Sequence, residues 1–144
     1  MSRNLNSGRR PYQPRSRAPK DPNRPIELLL KQPYYGLIAR GEKTIEGRIA
    51  YNWLDRAREG LAIDFKRSPH DERAIRCGID WVLRAPNFEE ALIEVEWQKA
   101  IPNVETFDEA LAIYERIYPE EKVQKMGGVI LLGFTARGMV NVRS

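Results

Sequence analysis

Two helix-start signals in the middle of the chain constrain the fold more than any other feature. The segment "ALIEVEW", residues 91–97, alternates apolar and polar residues as a strand does, yet apolar residues also recur at helical spacing from Phe88. Asn87 with Glu90, and Thr106 with Glu109, each place a capping residue three positions ahead of an acid, which is typical of a helix N-terminus. The sequence therefore predicts two helices inserted between strands.

The segments on either side of these helices have the composition of strands. The predicted strands are "IELLLK" (26–31), "GEKTIEGRI" (41–49), "LAIDFK" (61–66), "AIRCGIDWVL" (74–83, with a bulge) and "GGVILLGFTA" (127–136). A short helix is predicted for "PYYGLIARG" (33–41), and "EEKVQKM" (120–126) adds a helical turn after Pro119. Five strands and three or four helices without regular β-α-β alternation predict an α+β fold, a small mixed β-barrel rather than a doubly wound sheet.

Composition limits the class of protein. A chain of 144 residues that is 42% hydrophobic, with no apolar run near 18 residues, predicts one domain with a single core and no membrane span. No secretion signal is recognisable, so a cytoplasmic address is expected, or a nuclear one in a eukaryote. The single cysteine, Cys77, is expected to be a buried small hydrophobe, and the single histidine, His70, to be solvated. Neither a metal nor a cofactor is expected.

The charge is concentrated at the N-terminus. Residues 1–25 contain seven basic residues and one acidic residue, a net charge of +6, whereas residues 26–144 contain 17 basic and 19 acidic residues, a net charge of −2. Rich in Pro, Arg, Ser and Asn, residues 1–25 are predicted to be a disordered basic tail. It is either a contact for the phosphate backbone of RNA or a solubilising extension. The arginines predicted for the phosphate contact are Arg9, Arg10, Arg15 and Arg17.

The strand "GEKTIEGRI" carries the residues with the most chemistry. In a regular strand Glu46 and Arg48 share one face, which places Lys43 at a turn or bulge. A desolvated lysine beside a glutamate is able to act as a general base or nucleophile, and the planar fork of Arg48 suits a phosphate or a base edge. The alternative for Glu46 and Arg48 is a surface ion pair worth at most about 1 kcal/mol.

Aromatic residues flank this strand in the sequence. Tyr34, Tyr35, Tyr51 and Trp53 offer candidate surfaces for base stacking, and Tyr51 and Trp53 are favoured because they lie in a polar loop. Trp81 and Trp97 are predicted to belong to the core. The pair Gly127–Gly128 is predicted to form a turn rather than a phosphate cradle.

Two separated segments resemble one known family. "QPYYGLIARGEKTIEGRI" resembles the opening of the ASCH domain (activating-signal-cointegrator homology), in which an aromatic-containing helix precedes Gly-x-Lys-Thr-x-Glu-x-Arg. Residues 88–134, from "FEEALIEVEW" to "GGVILLGF", are similar to its second half. The resemblance covers residues 26–136 and leaves residues 137–144 as a short C-terminal tail.

The resemblance implies a PUA-like β-barrel of about five or six strands with three or four flanking helices, and binding of single-stranded RNA or a modified nucleotide in a cleft between barrel and helices. Some members are amidohydrolases acting on N(4)-acetylcytidine, with a lysine, a threonine three positions later and a glutamate on the following helix. Here Lys43 matches the lysine, Glu46 occupies the threonine position, and Glu96, or alternatively Glu94, is the candidate helix glutamate.

This departure favours a binding module over an enzyme, because a carboxylate replaces the proposed hydroxyl nucleophile. The binding interpretation uses Lys43, Glu46, Arg48, Tyr51 and Trp53 together with the basic tail. The alternative is a small hydrolase, an amidohydrolase or a ribonuclease, with Lys43, Glu46 and Glu96 as catalytic residues. A third interpretation is a protein-interaction adaptor. The acidic residues around the first capped helix are either a surface for a protein partner or an ordinary solvated face, namely Glu89, Glu90, Glu94 and Glu96.

Overall fold

Five strands form one mixed sheet in the computed structural model, which describes residues 20–142. The strands are β1 (Ile26–Leu29), β2 (Ile45–Ile49), β3 (Ala62–Lys66), β4 (Arg73–Ala85) and β5 (Val129–Asn141). Their order is β1-β3-β4-β5-β2, and only β1 and β3 pair in parallel. The predicted α+β class and mixed sheet are confirmed. Arg9, Arg10, Arg15 and Arg17 lie outside the described residues.

In this described range four α-helices accompany the sheet: α1 (Tyr34–Ala39), α2 (Phe88–Ile93), α3 (Phe107–Ile117) and α4 (Glu120–Lys125). Both predicted caps are confirmed, because the Asn87 side chain accepts a hydrogen bond from the Glu90 backbone N–H, and Thr106 and Glu109 form a reciprocal capping box. The helix α2 ends at Ile93, so the rest of "ALIEVEW" is not helical until a short 3-10 turn at Trp97–Lys99. The longest helix has 11 residues, and no helix within residues 20–142 combines the length and apolar character of a membrane span.

The capping box of α3 allows a simple test of its contribution. Replacing Thr106 with alanine is expected to lower the free energy of unfolding by about 1 kcal/mol, because the backbone N–H of Glu109 loses its acceptor. Chemical denaturation at neutral pH measures the change. A Thr106→Ser variant keeps the hydroxyl acceptor and is the matched control, so equal losses in both variants would contradict a capping role.

The two long strands, β4 and β5, pair over most of their length and shape the sheet. The register of β4 shifts between Arg76 and Cys77 and again between Ile79 and Trp81, which confirms the predicted bulge. The strand β5 continues beyond residue 136 to Asn141, opposite Arg73. Residues 137–141 of the segment assigned to a short C-terminal tail are therefore strand, because backbone pairing with β4 extends β5 through residues that show no strand pattern in the sequence.

Each face of the curled sheet packs a separate part of the core. Ile130 and Leu132 of β5 pack on the inner face with residues of β1 and β3, whereas Val129 and Leu131 pack on the outer face beneath α2 and α3. Trp81 and Trp97 are half-buried and pack against the outer part, as predicted. The sheet forms a half-barrel in which α2, α3 and α4 pack on the outer face and α1 packs with the inner part of the core, consistent with a PUA-like fold.

Three smaller predictions are also confirmed. Cys77 is fully buried, and burial raises the pKa of its thiol to about 12. His70 is exposed. Gly127 and Gly128 form a turn with φ of +85° and +115°, and a Cβ on Gly128 would lie 2.5 Å from the carbonyl oxygen of Ala85, so only glycine fits there.

Candidate functional site

The charged residues of β2 point into the half-barrel. Glu46 lies opposite Leu132 and Arg48 opposite Ile130 in the antiparallel pairing with β5. Directly opposite residues of an antiparallel pair share a face, and Leu132 and Ile130 are fully buried on the inner face. The side chains of Glu46 and Arg48 are accordingly only 7% and 15% exposed, so the surface ion pair considered from the sequence is wrong.

Three charged side chains form one cluster, named here the charged triad: Lys43 and Glu46, which are buried, and Arg48, which is partly buried. The Glu46 carboxylate joins two cations, with Oε1 3.1 Å from Lys43 Nζ and Oε2 2.6 Å from Arg48 Nε. Lys43 precedes the first residue of β2, as the alternation of the strand predicted. Its Nζ also donates to the carbonyl oxygens of Ile45 and Ala100, both at 2.6 Å. All three N–H groups of the ammonium are therefore engaged.

Burial and the neighbouring charges act in opposite directions on the pKa values of the triad. Burial by itself would raise the pKa of Glu46, but Lys43 and then Arg48 outweigh it, so this pKa lies below its ordinary value. Burial lowers the pKa of Lys43, and the Glu46 carboxylate opposes that change. Burial would also lower the pKa of Arg48, but Glu46 more than compensates and raises it. With Glu46 ionised between two cations, the triad carries a net charge of +1.

Arg48 connects the two edges of the sheet. The strands β1 and β2 stand at opposite ends of the strand order, yet Arg48 Nη2 donates to the carbonyl oxygen of Leu29 at 2.8 Å. The curl of the sheet thus brings the two edges together, and a guanidinium spans the seam between them.

A cleft of about 430 Å³ opens between this seam and helix α3. Its size falls within the range of small-ligand sites. Its walls are mostly apolar and aromatic, with the triad at the base, and they include Tyr34, Ile113, Tyr114, Ile117 and Tyr118. The Lys43 Nζ lies 5.6 Å from the centroid of the Tyr34 ring. Tyr34 is thus the sequence-flanking aromatic that reaches the cleft.

Tyr114 and Tyr118 line this cleft, and neither was predicted for the site from the sequence. Tyr114 lies in α3, and its ring stacks on Phe88 with centroids 4.6 Å apart. A Cβ on Gly47 would lie 3.0 Å from the Tyr114 ring, so the glycine in β2 lets the ring approach the strand. The signal in the sequence was a tyrosine, rather than a phenylalanine, on a buried helix face.

The hydroxyl of Tyr114 is buried and has no hydrogen-bond partner within residues 20–142. Burial raises the pKa of Tyr114 well above its ordinary value, and the Glu46 carboxylate adds to this rise. The backbone N–H of Gly47 acts weakly in the other direction, but its approach does not have the geometry of a hydrogen bond.

Two aromatic residues predicted for the site lie elsewhere. Tyr51 and Trp53 stack on each other with centroids 5.7 Å apart, and neither lines the cleft. Trp53 is 51% exposed. The Tyr51–Trp53 pair thus forms a separate aromatic surface.

The predicted helix glutamate also lies elsewhere. Glu96 lines a second cavity together with Glu94 and Lys99, and no hydrogen bond or ion pair joins it to Lys43 in the described part of the chain. Among residues 20–142, no group of three or more His, Cys, Asp and Glu side chains is placed to hold a metal ion.

Comparisons with known proteins agree with this architecture. The crystal structure of hypothetical protein PH0355 matches with a TM-score of 0.68 and 24% sequence identity, over 78% of this chain and 98% of that chain. The solution NMR structure of protein PF0455 from Pyrococcus furiosus matches with a TM-score of 0.59 and 24% identity, over 77% and 96%. No curated protein matches the chain. The family model of the ASCH domain matches residues 28–136. This chain belongs to the ASCH domain family, whose domains generally resemble RNA-binding domains.

Proposed function

We propose that this protein binds single-stranded RNA by accepting an unpaired base or nucleotide in the cleft between β2 and α3. The observation that carries the proposal is the guanidinium of Arg48 at the base of the cleft, held by Glu46 and by the Leu29 carbonyl. A guanidinium has five N–H donors in a fixed plane, and these two contacts use two of them. The remaining donors suit a phosphate oxygen or the acceptors of a base edge.

The surroundings of Arg48 favour a nucleotide over other small ligands. Tyr34 and Tyr118 line the cleft and offer ring faces for stacking, which every base accepts. The triad adds a net positive charge beneath them, and the exposed Lys31 lies at the rim of the cleft. Aromatic walls with a cation at each end match a flat base attached to an anionic backbone.

The geometry of the triad supports binding rather than hydrolysis. A general base needs a free lone pair that faces the substrate, whereas the Lys43 side chain is 2% exposed and its ammonium donates to three acceptors. Both carboxylate oxygens of Glu46 are occupied by cations. A lysine and a glutamate held in this way position Arg48 and carry charge, and they do not form an activated pair.

Replacing Arg48 with lysine tests whether RNA binding needs the planar guanidinium of Arg48. Lysine keeps the positive charge but not the planar fork, so we expect binding of a labelled single-stranded RNA 12-mer of mixed sequence to weaken about tenfold or more. Fluorescence anisotropy measures the affinity, and thermal unfolding checks that the variant is folded. Arg40→Lys, in an exposed ion pair with Glu42, is the matched control and is expected to bind like the wild type. A folded Arg48→Lys protein with unchanged affinity would contradict the proposal.

The basic tail contributes a separate, salt-dependent part of the affinity. A protein without residues 1–25 is expected to show a shallower loss of RNA affinity with rising salt, because fewer phosphate contacts release counterions. In the same assay series, incubation with N(4)-acetylcytidine and with RNA, followed by chromatography, tests the hydrolase alternative. Product formed by the wild-type protein and absent with a Lys43→Met protein that thermal unfolding shows to be folded would replace the binding module with an enzyme.

A further inference from the structure

The hydroxyl of Tyr114 is a buried polar group that makes no hydrogen bond within residues 20–142. Tyr114 is only 4% exposed, and its hydroxyl finds no hydrogen-bond partner in the described part of the chain. The nearby backbone N–H of Gly47 is a donor, so even a closer approach would serve only the hydroxyl oxygen and leave its hydrogen unpaired. A buried polar group without a partner costs stability, so its presence in a cleft indicates an acceptor that arrives with the ligand.

The peptide group of Gly47 faces the open edge of β2, away from β5. The Thr44 carbonyl accepts from the Phe134 N–H of β5, and the Ala50 N–H donates to the carbonyl of Gly128, the residue just before β5. Because bonded positions alternate along an antiparallel pair, the even-numbered residues of β2 face β5 and the odd-numbered ones face its open edge. The carbonyls of Ile45 and Ile49 on that edge are occupied by Lys43 Nζ and by the Tyr51 N–H.

Gly47 lies between these two residues and lines the cleft. Within residues 20–142, no loop or side-chain donor reaches its carbonyl oxygen. The Tyr114 ring carbon that bears the hydroxyl is 3.1 Å from the position of a Cβ on Gly47. Tyr114, which carries a hydroxyl donor, and Gly47, which carries a carbonyl acceptor, therefore contact each other and both line the cleft.

We propose that Tyr114 and the Gly47 carbonyl recognise the pairing edge of an unpaired base. The Tyr114 hydroxyl donates to a carbonyl oxygen or ring nitrogen of the base, and the Gly47 carbonyl accepts the adjacent N–H. Each of the four bases carries a donor next to an acceptor on its Watson–Crick edge, and this edge is occupied in a duplex. The inference rests on the proposed function and deepens it, since it explains why the cleft takes single-stranded rather than paired RNA.

The inference predicts opposite effects of one substitution on stability and on binding. Tyr114→Phe removes only the hydroxyl and keeps the stack on Phe88, so the free protein is expected to unfold at an equal or higher temperature. The same variant is expected to bind single-stranded oligouridine about tenfold more weakly, because one hydrogen bond to the base is lost. A merely structural tyrosine would not move stability and affinity in opposite directions.

The test measures binding by fluorescence anisotropy with three probes: an oligouridine 12-mer, the same 12-mer made of N3-methyluridine, and the oligouridine paired with oligoadenosine. The wild type should prefer the first probe about tenfold or more over the other two. Tyr114→Phe should bind the unmodified probe about tenfold more weakly than the wild type does, yet keep a preference over the methylated probe, because the Gly47 carbonyl still accepts the N3–H of the base. Tyr35→Phe, whose hydroxyl lies 4.0 Å from Met139 Sδ outside the cleft, is the matched control and should behave like the wild type.

The outcomes separate this inference from the proposed function. If the wild type binds oligouridine and the folded Tyr114→Phe protein binds it equally well, the inference is overturned and RNA binding stands. Equal affinity of the wild type for the methylated and unmodified probes also overturns it. If the wild type binds none of the RNA probes, the proposed function fails and takes the inference with it.

Discussion

Replacing Lys43 with methionine is expected to lower the free energy of unfolding by about 3–5 kcal/mol, because the change leaves buried polar groups without their cation. The Glu46 carboxylate would keep only Arg48, and the carbonyls of Ile45 and Ala100 would lose their donor. Methionine is close to lysine in length, so the substitution removes the charge with little change in packing. Urea denaturation at pH 7 measures the loss.

An exposed ion pair in the same region provides the matched control for Lys43. Arg40 and Glu42 contact each other at 2.9 Å with side chains 60% and 53% exposed, so Arg40→Met is expected to cost less than about 1 kcal/mol. Similar losses for Lys43→Met and Arg40→Met would show that the triad is no more buried than a surface pair. A large loss confined to Lys43 would identify the lysine as a structural cation at the base of the cleft.

Replacing Glu46 with glutamine is expected to destabilise the protein by a comparable amount, about 3–5 kcal/mol at pH 7. The neutral amide would leave Lys43 and Arg48 as two neighbouring buried cations without a counter-charge. Because the pKa of Glu46 is lower in the folded protein than the ordinary value of 4.5, the folded state favours the ionised form. The stabilisation is complete above the unfolded pKa and is lost as the pH falls through the folded pKa.

The pH dependence separates the charge of Glu46 from its shape. The difference in stability between the wild type and Glu46→Gln should be constant from pH 7 to about pH 5 and should narrow below about pH 4.5. Thermal unfolding at several pH values between 3 and 7 measures it. Glu42→Gln, in the exposed pair with Arg40, should show a small difference over the whole range. A difference for Glu46→Gln that stays unchanged down to pH 3 would contradict an ionised Glu46 in the triad.

Both predictions bear on the same feature of function, the position of Arg48. The guanidinium is held by Glu46 at 2.6 Å and by Leu29 at 2.8 Å, and Glu46 is held in turn by Lys43. A cation fixed in this way loses little side-chain entropy when it contacts a ligand. The proposed RNA site would therefore lose affinity in variants of Lys43 or Glu46 that remain folded.

Local signals in the sequence account for the elements of the fold. The caps at Asn87 and Thr106 start their helices where predicted, because a capping hydrogen bond depends only on residues three positions apart. The alternation of β2 likewise placed Lys43 outside the regular strand. The resemblance to the ASCH domain over residues 26–136 is confirmed by the family model, which matches residues 28–136, and it agrees with the half-barrel that these elements form.

Which side chains line the cleft depends on contacts between segments that are distant in the sequence, and local sequence patterns do not contain this information. Tyr51 and Trp53 are near the charged strand in sequence but stack on each other, whereas Tyr114 is far away in sequence and lies against Gly47. Glu96, placed by resemblance, lines a different cavity. Residues that are close in the sequence were correctly predicted to be neighbours only when they belong to the same helix or strand.

The sequence by itself therefore determined which segments become strands and helices, where two helices start, and which strand carries Lys43, Glu46 and Arg48. Only the tertiary structure decided that this strand turns its charges inward, since its register with β5 and the curl of the sheet place them on the buried face. The physical reason is the distance along the chain over which each effect acts. Propensity, alternation and capping act over a few residues, whereas burial and the pairing of charges depend on strands and helices that meet only after the chain has folded.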